Sequence, residues 1–433
     1  MKTMYSFAGI ILCILMTAVS CKKDIKSEVT TAAAQDFSVK SGYKNSWGIV
    51  ISKSGTSRSE SENLLNQYGL EPFNKIALSN NYGVQFYRAS LVKEDWDRSK
   101  SGFLLTYDSY TANNLAVVLN LNWLDNKDPV TYQDIPQPFA DNALNTNSVY
   151  YKWIKEVVDS LSKPTRIKPA LIVVENEENN SFYHIVETES DFMKYINMLQ
   201  AVINICKPKG IPVTNGGIIP KDLQLTAHDW LKNSQRRLAD AQLYAWNAFM
   251  PSMYYTLYPP KPAGIGSEGI ENLKFKVSRA LFFLNKYKTM GVSCINFHWY
   301  EPTKAAGWKD DKNNGTAWDK GVNKNHTSIN VLETTMEFMI NYNAPKKIIT
   351  NEIGVVTHSD CLVRELMTKV AAKPYGALDL ACLYDGDGFN IYDAKAFHNS
   401  FPETSSPIYT LRPTGDMVSK FIKNQNTNSC TPE

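Results

Sequence analysis

Eight apolar runs punctuate this chain, mostly with room for a helix between neighbours, and that rhythm restricts the fold more than any other feature. Residues Trp47–Ser52, Gly83–Ala89, Leu115–Asn122, Ala170–Glu177, Ile211–Asn215, Val292–Trp299, Lys347–Glu352 and Ala377–Tyr384 read as strands. Between them, Val149–Leu161 sets Trp153, Val157 and Leu161 four apart, and Asp191–Ile205 gathers Phe192, Tyr195, Ile196 and Leu199 on one stripe. Both segments read as crossover helices, the second capped by Ser190. A strand and a crossover helix repeated to eight is the count that closes a barrel, so the predicted fold class is α/β, a (β/α)8 TIM barrel over residues 44–425. One interval is too long for a plain loop. Helical segments at 227–249 and 270–287, joined by the Pro/Gly-rich stretch Tyr258–Gly266, predict an elaborated crossover after the fifth strand. Its Trp246, Tyr254, Tyr255 and Tyr258 either wall a cleft or simply pack together.

The N-terminal end bears on location. Lys2 precedes a nearly unbroken apolar stretch from Tyr5 to Val19, shorter than the roughly 20 residues a membrane-spanning helix needs, and small residues Ala18 and Ser20 stand just before Cys21. Residues 1–20 therefore read as a secretory signal. Thr17-Ala18-Val19-Ser20-Cys21 resembles a bacterial lipobox, which would make Cys21 the lipidated first residue of the mature chain and 21–43 a flexible tether. The alternative is an ordinary cleaved signal with an incidental cysteine. The expected location is the outer membrane or cell surface, lipid-anchored, with the periplasmic side open; residues 426–433 form a tail. Setting aside Cys13 and Cys21 leaves Cys206, Cys294, Cys361, Cys382 and Cys430, an odd number without close pairs. That spacing shows no metal or disulfide framework, though it allows a single disulfide. With 46 basic and 43 acidic residues the net charge of +3 offers no field for nucleic acid. No cofactor and no metal are expected, and a monomer is the default expectation.

Two of the runs end abruptly in acids, Val173-Val174-Glu175-Asn176-Glu177 and Ile348-Ile349-Thr350-Asn351-Glu352. The C-terminal ends of parallel barrel strands share one face, so these distant carboxylates can converge. Paired carboxylates are the equipment for cleaving glycosidic bonds. Arg88, closing the second run, is the best placed cation to hold Glu352 ionised. Alternation puts Glu175 on the same side as Glu177, as a buried partner for Arg88, with Glu178 pointing away. His298 and Tyr300 close the sixth run and suit donation to Glu352 or to a sugar hydroxyl. Asn122 and Trp123 follow the third run and suit hydroxyl recognition. Aromatic residues make up 12% of the chain and crowd the loops after the runs, which fits a carbohydrate partner.

The chain resembles the retaining glycoside hydrolases of clan A, (β/α)8 barrels with Asn-Glu ending the fourth strand and Glu ending the seventh. Asn176-Glu177 and Glu352 match in order and strand count. The resemblance implies Glu177 as acid/base, Glu352 as nucleophile and Asn176 as partner of the sugar 2-hydroxyl. This chain departs from the clan at the eighth strand, where a tryptophan commonly lies under the sugar and Tyr384 stands here as the candidate platform. That departure and the additional Glu175 leave a second reading, a glycan-binding lipoprotein on a barrel without catalysis. A metal-dependent hydrolase has little to stand on, since only His298 and His358 of six histidines fall near the proposed mouth.

Overall fold

A computed structural model describes residues 46–51, 71–128, 130–131, 133–301, 330–355, 360–372, 378–385, 411 and 413–430. The predicted signal, Cys21 and tether lie outside these residues, as does His358. Eight parallel strands follow in order: β1 (Trp47–Ile51), β2 (Phe86–Val92), β3 (Ala116–Asn122), β4 (Leu171–Val174), β5 (Val213–Asn215), β6 (Ile295–Glu301), β7 (Ile348–Val355) and β8 (Ala381–Asp385). Their spatial order is β5-β4-β3-β2-β1-β8-β7-β6, a barrel with one seam left, between β5 and β6. Polar groups stitch that seam. The Ser293 N–H donates to the Val213 carbonyl at 2.8 Å, and the side chains of Asn215 and Asn296 bond each other's backbone across the gap. The chain is thus an α/β barrel of the predicted class.

The barrel floor is small and apolar. Phe86, Ala116, Val118, Leu171, Val173, Cys294, Ile349 and Cys382 form one buried cluster. It closes so tightly around β1 that a Cβ at Gly48 would lie 2.6 Å from Cys382 Sγ. A second, larger core lies between the strands and the surrounding helices. There α3 (Val149–Leu161) buries Trp153, Val157 and Leu161, each burial worth about 1.5–3 kcal/mol. Ser148 starts this helix by accepting from the Tyr151 N–H at 3.1 Å. Helices α1 (Glu71–Tyr82) and α2 (Lys93–Ala112) precede it, and α4 (Glu189–Cys206) follows.

Several boundaries differ from expectation for local reasons. Gly83, with φ 83°, ends α1 by donating to the Ser79 carbonyl instead of opening β2, which begins three residues later. The cap of α4 is Thr188, not Ser190: Asp191 lies three residues after Thr188 and reciprocates its bond in a capping box, whereas the residue three after Ser190 is Met193. The long crossover after β5 breaks into α5 (Pro220–Asp229), a π-helical turn, α6 (Leu238–Ala248), α7 (Pro251–Leu257) and α8 (Ile270–Thr289). Trp246 and Tyr254 are buried edge to face at 5.0 Å, so these aromatics are packing. Helices α9 (Val331–Asn343), α10 (Asp360–Ala371) and α11 (Pro413–Ile422) complete the described elements. A Cys361–Cys430 disulfide and bonds from Arg364 to the carbonyls of Thr427 and Asn428 tie the C-terminal segment to α10. Cys206, Cys294 and Cys382 are free and buried. Among the described residues no helix is long and apolar enough to cross a membrane.

Candidate active site

The two glutamates reach the barrel mouth by different departures from regular strand geometry. In β7 the register against β6 runs Asn296 to Ile349 and then His298 to Glu352, so β7 carries one extra residue there. Ile349 belongs to the barrel floor, and strict alternation would send Asn351 inward next; the bulge delivers Glu352 as well. Thr350 Oγ1 braces it by donating to the Glu352 carbonyl at 3.0 Å. After β4 the chain kinks. Glu175 and Glu177 take positive φ of 61° and 48°, costly for residues with a Cβ and therefore held by their surroundings.

That kink overturns the expected pairing of Glu175 with Arg88. Strand alternation ends at Val174, and Glu175 turns to accept from the Trp123 N–H at 2.8 Å in the layer beside Tyr150. Asn176 takes the place beside Arg88, accepting from Nη2 at 2.8 Å. Glu178 does point away from the mouth but into a fully buried site, accepting from Asn215 at 2.8 Å and from the Tyr287 hydroxyl at 2.6 Å.

Arg88 Nη1 donates to Glu352 Oε2 at 2.5 Å, and the Tyr300 hydroxyl donates a short bond to Oε1. His298 Nδ1 lies 2.9 Å from Glu177 Oε1 and 4.0 Å from Glu352 Oε2. One carboxylate oxygen from each of Glu177 and Glu352 and a ring nitrogen of His298 fall within 4.8 Å of one another. All three residues are buried. Burial pushes the Glu352 carboxyl up, but His298, Arg88 and Tyr300 outweigh it and hold Glu352 below the ordinary carboxylate range. For His298 burial favours the neutral ring, and Glu352 and Glu177 together reverse that and raise it. The guanidinium thus sets a buried positive charge directly against Glu352, while His298 bridges toward Glu177.

Neighbours that the sequence did not single out complete the site. Asn180 Nδ2 donates to Glu177 Oε2 at 2.6 Å. Burial pushes His184 down to about 4, so the neutral ring donates from Nε2 to the Asn176 carbonyl. Burial, then the charges of Glu177 and Glu352, raise the Tyr183 phenol, which stays protonated beside the pair. Asn180, Tyr183 and His184 follow the acid in sequence within seven residues, a polar and aromatic cluster that is the only signal they gave. The remaining expected residues are less central. Asn122 accepts from Asn120 at 2.9 Å. The Trp123 ring is half-buried and packs toward α3 against Tyr150 and Trp153. Tyr384 stands edge to face with Tyr300 at 6.1 Å. With Arg88, Ser90 and, from α2, Asp95, Arg98 and Phe103, it lines a cavity of about 550 Å³.

No protein-family model and no curated protein matches the chain. Among solved structures it is similar to the exo-beta-1,4-mannosidase from Opitutaceae bacterium strain TAV5, at 13% identity over 81% of this chain and 54% of that one, TM-score 0.43. It is also similar to a family 39 glycoside hydrolase from the gut symbiont Bacteroides cellulosilyticus, at 11% identity over 86% and 62%, TM-score 0.45. A third likeness is to fungal beta-1,4-galactanases, at 12% identity over 87% and 99%, TM-score 0.44. The chain thus spans 54% and 62% of the length of the first two.

Proposed function

We propose that this protein is a retaining glycoside hydrolase, exported and lipid-anchored through Cys21, that cleaves an oligo- or polysaccharide. The observation that carries the reading is the acid pair itself: two buried glutamates at one barrel mouth, with carboxylate oxygens within 4.8 Å, and donors gathered on Glu352. Retaining enzymes hold their carboxyl groups about 5–5.5 Å apart, and inverting ones hold them farther apart to admit a water. Glu352, kept ionised by Arg88, Tyr300 and His298, attacks the anomeric carbon while Glu177 protonates the leaving oxygen. The glycosyl ester on Glu352 then yields to a water deprotonated by Glu177, and both carboxyls return to their starting states. Asn176, its Oδ1 engaged by Arg88, offers its amide nitrogen to the sugar 2-hydroxyl, with Tyr384 beneath the ring. The Cys361–Cys430 disulfide supports an oxidising compartment, in keeping with export.

On a panel of aryl glycosides and polysaccharides, Glu177→Ala should lower turnover by about 10²–10⁴-fold and Glu352→Ala should lower it at least as much, without loss of fold. Equal turnover in both variants and wild type overturns the reading. Binding without release of reducing sugar from any glycan in the panel favours the non-catalytic alternative, which the missing eighth-strand tryptophan motivates.

A further inference from the structure

Behind the acid pair, β5, β6 and β7 each contribute an asparagine to one buried row: Asn215, Asn296 and Asn351. Which way each amide points follows from backbone N–H groups, whose role as donors is not open to choice. The Asn296 N–H donates to Asn215 Oδ1 at 2.8 Å, and the Asn351 N–H donates to Asn296 Oδ1 at 2.9 Å. Asn296 must then present Nδ2 onward, and it donates both to the Asn215 carbonyl at 3.1 Å and to Asn351 Oδ1 at 2.7 Å. Turning Asn351 over would set two amide nitrogens against each other. Its Nδ2 accordingly stays buried with no hydrogen-bond partner among the described residues, a cost of about 1–3 kcal/mol that the row tolerates to keep Oδ1 in place. The same Oδ1 lies 2.8 Å from His298 Nε2, and an amide oxygen can only accept.

We propose that Asn215, Asn296 and Asn351 are positioning residues that fix His298 with its proton on Nε2, so that Nδ1 and Glu177 Oε1 hold a single exchangeable proton between them. This inference rests on the glycosidase reading for its consequence but not for its geometry. Before substrate binds, that proton lies in the 2.9 Å bond between Nδ1 and Glu177 Oε1. As the leaving oxygen departs, any remaining Nδ1–H bond breaks with its electron pair left on Nδ1, the proton is held by Glu177 as O–H, and Glu177 passes it to the leaving oxygen. In the second half-reaction Glu177 takes a proton from water and returns it to the bond with Nδ1, so the count closes over a cycle. With the opposite tautomer a neutral ring would donate from Nδ1 to Glu177 and could not receive its proton. The charged groups facing His298 are Glu177 from the segment after β4, Glu352 from β7, Arg88 from β2 and the buried Glu178. Gly217, with φ 118°, gives the ring its space, since a Cβ there would lie 2.3 Å from Nε2.

The tautomer can be read without substrate by long-range proton–nitrogen correlation NMR on the full chain labelled at its six histidines, with His298 assigned through His298→Gln. The expected result is a ring that, once neutral, is protonated at Nε2. Asn351→Asp keeps an acceptor and should preserve that signature while moving the alkaline limb of kcat/KM to higher pH. Asn351→Leu removes the acceptor and should scramble the tautomer and move the limb to lower pH. A neutral wild-type ring protonated at Nδ1 overturns the proposal, as does an unaltered tautomer in Asn351→Leu. The wild-type spectrum decides alone if the leucine variant does not fold. Because these spectra need no turnover, their outcome is separate from that of the Glu177 and Glu352 variants, which test the glycosidase reading itself.

Discussion

Replacing Glu175 by glutamine should stabilise the protein increasingly as pH rises, by an amount that proton linkage sets. Burial pushes the Glu175 carboxyl from 4.5 to about 8, offset in part by the Trp123 N–H. The folded protein therefore holds a proton that the unfolded chain gives up near its ordinary value. A group raised in the folded state contributes its full stability below the unfolded value and loses it as pH climbs through the folded one. Here that window runs from 4.5 to about 8. One proton gives a slope of about 1.4 kcal/mol per pH unit, so the window accounts for about 5 kcal/mol at most. Glutamine imitates the protonated acid, keeping a carbonyl for the Trp123 N–H and a donor in place of the O–H. Urea denaturation of wild type and Glu175→Gln should give similar stabilities near about pH 5 and curves that diverge with that slope up to about pH 8. A difference that stays constant across the window would show Glu175 ionised in the fold, and the account of the kink would fail. A neutral Glu175 also keeps a third negative charge away from the mouth that holds Glu177 and Glu352.

Removing the guanidinium in Arg88→Met should raise the acid limb of kcat/KM by about one pH unit or more, because burial then acts on Glu352 with less opposition. The sign follows from Glu352 being depressed: the ionised form that Arg88 supports is lost as pH falls, and it is lost sooner without the arginine. An acid limb unmoved by the substitution would contradict the 2.5 Å ion pair. Gly217→Ala should displace the His298 ring, lowering turnover about tenfold to hundredfold and stability by about 1–3 kcal/mol in thermal unfolding. Wild-type turnover in that variant would show that the ring does not need its present position.

The barrel was legible because its signal is periodic and long: eight runs and an amphipathic helix at Val149–Leu161 survive errors of a residue or two at their ends. The acid pair was legible because each glutamate closes such a run. What alternation could not supply was direction, and both failures have the same physical origin. Thr350, Asn351 and Glu352 are three consecutive polar residues in a buried strand, and a regular pleat can aim at most alternate ones toward the same partners. A bulge resolves the conflict by giving Asn351 to His298 and Glu352 to Arg88. From Glu175 to Asn180 six polar residues follow β4, and Glu175, Glu177, Glu178 and Asn179 are buried. No extended segment could satisfy them all. The left-handed turns at Glu175 and Glu177 send Glu175 to Trp123, Asn176 to Arg88, Glu177 to His298, Glu178 to Tyr287, Asn179 to Asp222 and Asn180 back to Glu177. Asp222 is in turn paired with Arg279 at 2.9 Å, both buried, so α5 and α8 clamp the segment that carries the acid. A run of buried polar residues at the end of an apolar strand thus marks a place where regular backbone must break, and here the break is what turns two strand-end glutamates into a facing pair.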